Sequence, residues 1–230
     1  LGFAFDGTGY GTDGTVWGGE VFEYKNNEFT RKFHLKPVKM LGGDEISKNA
    51  ETALKCYFLD TGMDIDDKLI KTALDMNINT VNSSSMGRLF DAVSAILGIC
   101  NYNTYEGKCA VMLEIAASKA EKPYSLTLPL LENQWDTSSL IKQIADAKGD
   151  VCEILGFHHA IANAVVEVCE KSAIKNIALS GGVFMNRILT ELCIDKLRKK
   201  GYNVYINRQV PTNDGGIALG QAYIQGKRVK

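Results

Sequence analysis

The sequence predicts an α/β protein built on a mixed sheet, and three observations carry that prediction. The first 36 residues are rich in β-formers on either side of Asn26-Asn27, a pair that tolerates left-handed backbone, so the chain opens as an antiparallel meander. From residue 53 to about 170 the apolar period changes to that of helices. Near the end, residues 176–207 read strand, glycine turn, helix, strand, a crossover that only parallel strands need.

Taken in order, Leu1-Gly2-Phe3-Ala4-Phe5 is a short apolar strand, followed by a loop from Asp6 to Thr15 holding four glycines, two aspartates and three threonines. Strands follow at 15–24 and 28–36. Pro37 and Gly42-Gly43-Asp44 then punctuate the chain. Ala53, Leu54, Tyr57 and Phe58 stripe one helix, and Leu69, Ile70, Ala73 and Leu74 another. Ser84 or Ser85 caps a helix striped by Met86, Leu89, Phe90, Val93, Ile96 and Leu97, which Gly98 ends. Tyr105-Glu106-Gly107 opens the next helix, through Ala117, and 125–131 is extended and broken by Pro129. Helices are expected at about 138–147 and 151–170. On the second, His158 shares the face of Ile154, Leu155, Ile161 and Val165, the place of a core histidine. Strand 176–180, the turn Gly181-Gly182, a helix striped by Ile188, Leu189, Leu192, Cys193 and Leu197, and strand 202–207 make the crossover. Pro211-Thr212-Asn213-Asp214-Gly215-Gly216 leads into a last helix at 217–225, with Asn213 or Asp214 as its cap.

Composition narrows the function. With 45% hydrophobic residues and a formal net charge of -1, the chain is an ordinary globular α/β protein without the basic footprint of a nucleic-acid binder. No apolar run approaches the roughly 20 residues needed to span a bilayer. The six cysteines are scattered with no C-x-x-C pair, the usage of reduced thiols in a cytoplasmic protein. The chain starts abruptly in a strand, like a piece of something longer.

The Asp6 to Thr15 stretch is the chemical candidate. Its glycines let backbone N–H groups approach a ligand, while its carboxylates and hydroxyls suit a phosphate, a metal or both. Gly9, Gly11 and Gly14 fit G-x-G-x-x-G, but a strand follows rather than a helix, which argues against a dinucleotide fold. The plain alternative is a tight hairpin. Gly181-Gly182 sits at the carboxyl end of a parallel strand, where α/β sheets bind ligands, without the lysine of a Walker loop. Arg88 and Asp91 share a helical turn, either as a solvated pair or with Asp91 accepting from a sugar hydroxyl.

Together these motifs carry a resemblance. Asp6-Gly7-Thr8-Gly9-Tyr10-Gly11 with Trp17-Gly18-Gly19-Glu20, Ser83-Ser84-Ser85-Met86-Gly87-Arg88-Leu89-Phe90-Asp91-Ala92, Tyr105-Glu106-Gly107, Ser180-Gly181-Gly182-Val183-Phe184-Met185-Asn186 and Pro211-Thr212-Asn213-Asp214-Gly215-Gly216 resemble the carboxyl-terminal region of the HypF hydrogenase maturation carbamoyltransferases. The resemblance runs from the first residues to Gln221.

It implies an actin-like ATPase (ASKHA, RNase H-like) lobe. The expected fragment of a two-lobed, TsaD-like domain has residues 1–210 in the second lobe and 211–230 returning toward the first. It also implies an enzyme that accepts carbamoyl-adenylate, made from carbamoyl phosphate and ATP, and passes the carbamoyl group to the carboxyl-terminal cysteine of HypE. Dehydration there yields the precursor of the cyanide ligands of [NiFe]-hydrogenase. In that family Asp6 and Asp214 match metal ligands, the metal being iron, zinc or magnesium. Two histidine ligands are expected upstream, as are acylphosphatase-like, zinc-binding and YrdC-like domains. Asp6, Gly7, Thr8, Gly9 and Tyr10 match the phosphate and carbamoyl cradle, Asp91 and Gly107 the ribose contacts, and Gly181, Gly182 and Asn186 the nucleoside contacts. No side-chain nucleophile is implied, because the partner's thiol attacks. Two carboxylates alone predict weak metal binding and little activity from this stretch by itself. Two other readings stay open: a nucleotide-binding module without chemistry, and a TsaD-like tRNA modifier. Against the latter stand the near-neutral charge and the long Asp6 to Glu20 motif, since the tRNA enzymes have a shorter Ser-Gly-Gly loop there.

Overall fold

The computed structural model describes residues 1–147 and 151–228. Its strands are β1 (Gly2–Tyr10), β2 (Val16–Lys25), β3 (Glu28–Leu35), β4 (Val38–Leu41), β5 (Thr80–Ser83), β6 (Leu130–Leu131), β7 (Gln134–Trp135), β8 (Asn176–Ser180) and β9 (Asn203–Ile206). Its helices are α1 (Ala50–Asp60), α2 (Lys68–Asp75), α3 (Met86–Ile96), α4 (Lys108–Ala117), α5 (Thr137–Asp146), α6 (Val151–Ser172), α7 (Arg187–Lys199) and α8 (Ile217–Arg228). The sheet runs β6-β7-β3-β2-β1-β8-β9, with β5 joining β2 and β4 joining β5. β1, β2 and β3 are antiparallel; β8 lies parallel to β1, and β9 parallel to β8. Three meandering strands extended by two parallel ones, with helices alongside, is the mixed sheet the sequence predicts.

Local chemistry explains several element ends. Asn26 and Asn27 both take positive φ, 54° and 64°, and turn β2 into β3 as their side chains allow. Asn49, Asp67, Ser85, Asp136 and Asn186 each accept a backbone N–H and cap α1, α2, α3, α5 and α7. Ser85 is therefore the cap of α3, while Ser84 donates to the Glu20 carboxylate instead.

The core lies on one face of the sheet. Phe3 and Phe5 of β1 and Ile177 and Leu179 of β8 alternate inward, all essentially inaccessible. Phe5 stacks on Phe184 at 5.1 Å and meets Trp135 edge-on, and Phe90 of α3 meets Phe157 of α6 at 4.8 Å. The alternate residues of β1, ending with Asp6, point to the opposite face and are only half-buried. α8 does not join the core: Ile217, Leu219 and Tyr223 are each more than half exposed. Its Tyr223, Ile224 and Lys227 line a hollow with Tyr24, Asn27 and Phe29 at the tip of the β2–β3 hairpin.

Three expectations change. The glycine stretch from Asp6 is not all loop, because β1 continues to Tyr10 and the ladder resumes at Gly9↔Trp17 and Tyr10↔Val16 after a bulge between Phe5 and Gly9. The turn itself is only 11–15. β4 and β5, four residues each, do not appear in the sequence reading; they pair with one another, Met40 opposite Val81, and attach to the sheet by Val16↔Ser83. The two-residue β7 is likewise absent from the sequence reading, yet it places Trp135 in the core beside Leu35.

Candidate functional site

The bulge in β1 sets the site. Where β1 leaves its ladder with β2, Asp6 turns its carboxylate toward the carboxyl end of β8, and Oδ1 accepts from the Gly7 N–H at 2.8 Å. The Gly182 N–H also favours the charged Asp6 carboxylate, and a Cβ on Gly182 would stand 3.1 Å from Asp6 Oδ1. The next residue back, Gly181, has φ +99°, and a Cβ there would lie 2.2 Å from the Phe5 carbonyl oxygen, so only glycine allows the two chain segments this close.

The loop before α8 closes a third side. Gly181 N–H donates to the Thr212 carbonyl at 3.0 Å, and Thr212 Oγ1 donates back to the Gly181 carbonyl at 3.2 Å. Asn213 accepts from Gly215 N–H and turns the chain into the helical turn that carries Asp214. Asp214 and Glu106 both act on Asp6. Burial first, then the negative charges of Asp214 and Glu106, push the Asp6 carboxyl above its ordinary value, while the Gly7 and Gly182 N–H groups pull it down. Asp6 of β1 thus feels the negative charges of Glu106, just before α4, and of Asp214, in the turn before α8.

The amino end of α3 forms the floor. Ser85 Oγ donates to the Gly7 carbonyl at 2.6 Å, and a Cβ on Gly87 would come 2.7 Å from Gly7 Cα. Arg88 follows. Its Nε lies 2.8 Å from Asp91 Oδ2, a charge contact rather than an aligned hydrogen bond, and Asp91 Oδ1 accepts from Asn103 Nδ2 at 2.9 Å. Asn103 Oδ1 in turn accepts from Cys109 N–H in the first turn of α4.

The expected site residues separate into four groups. Asp6, Gly7, Gly181, Gly182 and Asp214 come together. Gly107, with φ +72° and open space where a Cβ would be, adjoins Glu106 at the rim. Thr8, Gly9 and Tyr10 line an adjacent open depression with Gly11, Gly14, Thr15 and Val16, and Tyr10 is 91% exposed. Two side chains face elsewhere. Asp91 is 1% exposed and engaged by Arg88 and Asn103, so it stands behind the cleft rather than in it. Asn186 caps α7 through Leu189 N–H and lies 3.1 Å from His158 Nε2. His158 Nδ1 faces the Ile154 carbonyl at 2.8 Å, so the ring is a neutral core group, and burial lowers its pKa to about 4.

The sequence reading assigned no role to Glu106, Arg88 or Asn103. The first two stand inside quoted motifs, but Asn103, two residues before Tyr105, gives no signal short of the fold. Glu20 was also unassigned. It is buried at the β2 bend and accepts from Gly18 and Gly19 N–H groups, from Ser84 and from Arg31. Arg31 stacks 4.2 Å over the Trp17 ring and reaches Asp13, which also accepts from Thr15 and Trp17 Nε1. This network holds the 11–15 turn beside the site.

For a cation, the donor set is partial. Among the described residues no cluster of three or more His, Cys, Asp or Glu side chains is arranged to hold one. Oxygen donors suit a hard metal, but around Asp6 and Asp214 the described residues hold no complete set of them. Among the described residues no helix is long and apolar enough to cross a membrane.

Comparison with known proteins places the chain in a family. Residues 2–221 match the family model described as carbamoyltransferase, Kae1-like domain, second subdomain. The chain is 33% identical over 99% of its length to the carbamoyltransferase HypF of Synechocystis sp. and 34% identical over 98% to that of Rhodobacter capsulatus, covering 34% and 32% of those proteins. Its coordinates superpose on full-length HypF in a phosphate- and nucleotide-bound form with a TM-score of 0.89 at 33% identity, covering 100% of this chain and 40% of that one. The chain therefore spans about a third of the length of the curated relatives it matches. With its actin-like sheet, its glycine-lined cleft and a family match over nearly all its residues, the chain belongs to the HypF carbamoyltransferase family and corresponds to the second subdomain of its Kae1-like domain.

Proposed function

We propose that this chain supplies one wall of a carbamoyl-adenylate site in a carbamoyltransferase whose acceptor is the carboxyl-terminal cysteine of HypE. The observation that carries the reading is the approach of Asp6, Gly182 and the Thr212–Asp214 loop to one another, since Asp6 stands more than 170 residues before the other two in the sequence.

The adenylate lies with its phosphate and carbamoyl oxygens along Gly7 to Tyr10 and its nucleoside toward Gly107, Gly181 and Gly182. Asp91 and Asn186 serve this placement indirectly, one by fixing Arg88, the other by fixing the turn after β8. The partner's thiolate attacks the carbamoyl carbon, a C–S bond forms, the C–O bond to phosphate breaks, and AMP leaves with the electron pair. Backbone N–H donors stabilise charge on the attacked oxygen and the leaving phosphate, each worth about 3 kcal/mol in a site sheltered from water. Asp6 and Asp214, with two histidines from the preceding segment, would hold a divalent metal beside the phosphate. Residues 211–228 extend toward the first lobe, where the exposed apolar side of α8 finds its cover. The upstream acylphosphatase-like, zinc-binding and YrdC-like domains make the adenylate, and the reaction belongs to the cytoplasm. That compartment fits Cys56, Cys100, Cys109, Cys169 and Cys193, which form no disulfide among the described residues.

The test joins this chain to the segments that precede it in its relatives. Carbamoyl-phosphate-dependent conversion of ATP to AMP and pyrophosphate is measured together with carbamoylation of HypE. Both activities are expected; absence of both, with nucleotide still bound, would favour a binding module.

A further inference from the structure

We propose that Arg88 is a ligand-binding residue of the cleft, its guanidinium donating to an oxygen of the group seated over Gly7. The inference rests on the carbamoyl-adenylate reading and deepens it.

The Arg88 side chain is only 10% exposed. A guanidinium carries five N–H donors, and burying any of them without an acceptor is costly. Here Nε faces Asp91 Oδ2 at 2.8 Å, while Nη1 is buried with no acceptor in the protein. Nη2 is 3.7 Å from the point where a Cβ on Gly7 would stand, so the far edge of the guanidinium faces the β1 bulge across a space about one methyl group wide.

The group is fixed from behind. Asp91 is held by Asn103, whose carbonyl oxygen is held by Cys109 N–H, so α3 and α4 jointly set the guanidinium. The contact of Gly87 with Gly7 brings that end of α3 against the strand. A buried cation held by its charge contact with Asp91, with Nη1 left without an acceptor and Nη2 turned toward Gly7, matches a ligand oxygen, where charge-assisted hydrogen bonds are strong and geometrically selective. The acceptor is an oxygen of either the carbamoyl or the phosphoryl group.

The test follows the Arg88 guanidinium nitrogen resonances of the 230-residue chain, assigned through bonds from its own backbone. The chain is titrated with carbamoyl phosphate and, separately, inorganic phosphate, while AMP binding is measured by calorimetry. A saturable shift of Arg88 with carbamoyl phosphate is expected. Arg88→Lys and Arg88→Gln should bind carbamoyl phosphate at least about 10-fold more weakly than the parent, as loss of one charge-assisted bond requires, with AMP weakened alongside only where the phosphoryl oxygen is the acceptor. Response to both anions assigns the phosphoryl oxygen, and response to carbamoyl phosphate alone assigns the carbamoyl oxygen. No response of Arg88 to either overturns the proposal; if AMP still binds, the nucleotide reading survives, and if AMP also fails to bind, both fall.

Discussion

Gly181 and Thr212, 31 residues apart, hold each other twice, through the Gly181 N–H on the Thr212 carbonyl and the Thr212 hydroxyl on the Gly181 carbonyl. This double tie brings the acidic loop before α8 to the end of β8, and so brings the charge of Asp214 to bear on Asp6. Replacing Asp214 with Asn removes one of the charges that raise the Asp6 pKa. A carbon-detected NMR titration should show the Asp6 carboxyl ionising at lower pH in Asp214→Asn than in the parent, with an unchanged far-UV spectrum. The same variant should lose carbamoyl transfer in the complete protein. An Asp6 titration that does not move would mean that the two carboxylates share no cleft.

Gly181 predicts a stability effect of its own. Its φ of +99° disfavours any L side chain, and a Cβ would overlap the Phe5 carbonyl oxygen at 2.2 Å. Backbone strain of this kind costs about 1–3 kcal/mol, and the overlap adds to it by pushing β8 off β1. Urea unfolding of Gly181→Ala should show at least that loss. Gly220→Ala, on α8 with open space around it, should show none.

The carboxylate of Glu20 is the anchor of a buried polar network. Removing it strands the Arg31 guanidinium, already left with one buried unpartnered nitrogen, and frees the Gly18 and Gly19 N–H groups. Breaking one partner out of a buried pair costs about 3 kcal/mol or more. Glu20→Ala is expected to lose that much in chemical denaturation. Asp13→Asn, whose carboxylate is at the surface, should loosen the 11–15 turn, seen as faster amide exchange at Thr15, with little change in global stability.

The sequence made the sheet legible where it made each strand long or marked its ends. Asn26-Asn27 announced the first hairpin, and the period change after Lys175 announced the parallel crossover. β4, β5 and β7 were invisible because two to four residues cannot show an alternation, and each is a strand only through its neighbours. The site followed the same rule. Backbone-determined members such as Gly181 and Gly182 could be read from a glycine pair ending an apolar run. The roles of Asp91, Asn103 and Asn186 depend on which of several polar neighbours each side chain meets, and sequence spacing does not fix that choice. Asp91 is the instructive case: its place on the turn with Arg88 was readable, but its burial beneath Arg88 comes from α4 packing against α3 and from Asn103 closing over it.

His158 gives the protein an acid limit whose sign can be worked out. Its folded pKa of about 4 lies below the ordinary 6.5, because burial in the core between Phe90 and Phe157 disfavours the charged ring. The unfolded chain takes up a proton near pH 6.5 that the folded one refuses until about pH 4. The stability due to neutral His158 is therefore complete above 6.5, declines as the pH falls, and stops declining once the folded ring also protonates. Over that interval the loss is about 3 kcal/mol, from 1.36 kcal/mol per pH unit. Denaturation midpoints of the parent and of His158→Gln, measured from pH 7.5 to 4.5, should differ in slope. The variant starts lower, because the ring no longer fills its site and no longer meets Asn186, and then falls less steeply. Parallel slopes would mean that the ring reaches solvent and titrates normally. That outcome would also loosen the Asn186 cap of α7 and, through it, the turn after β8 on which one side of the cleft depends.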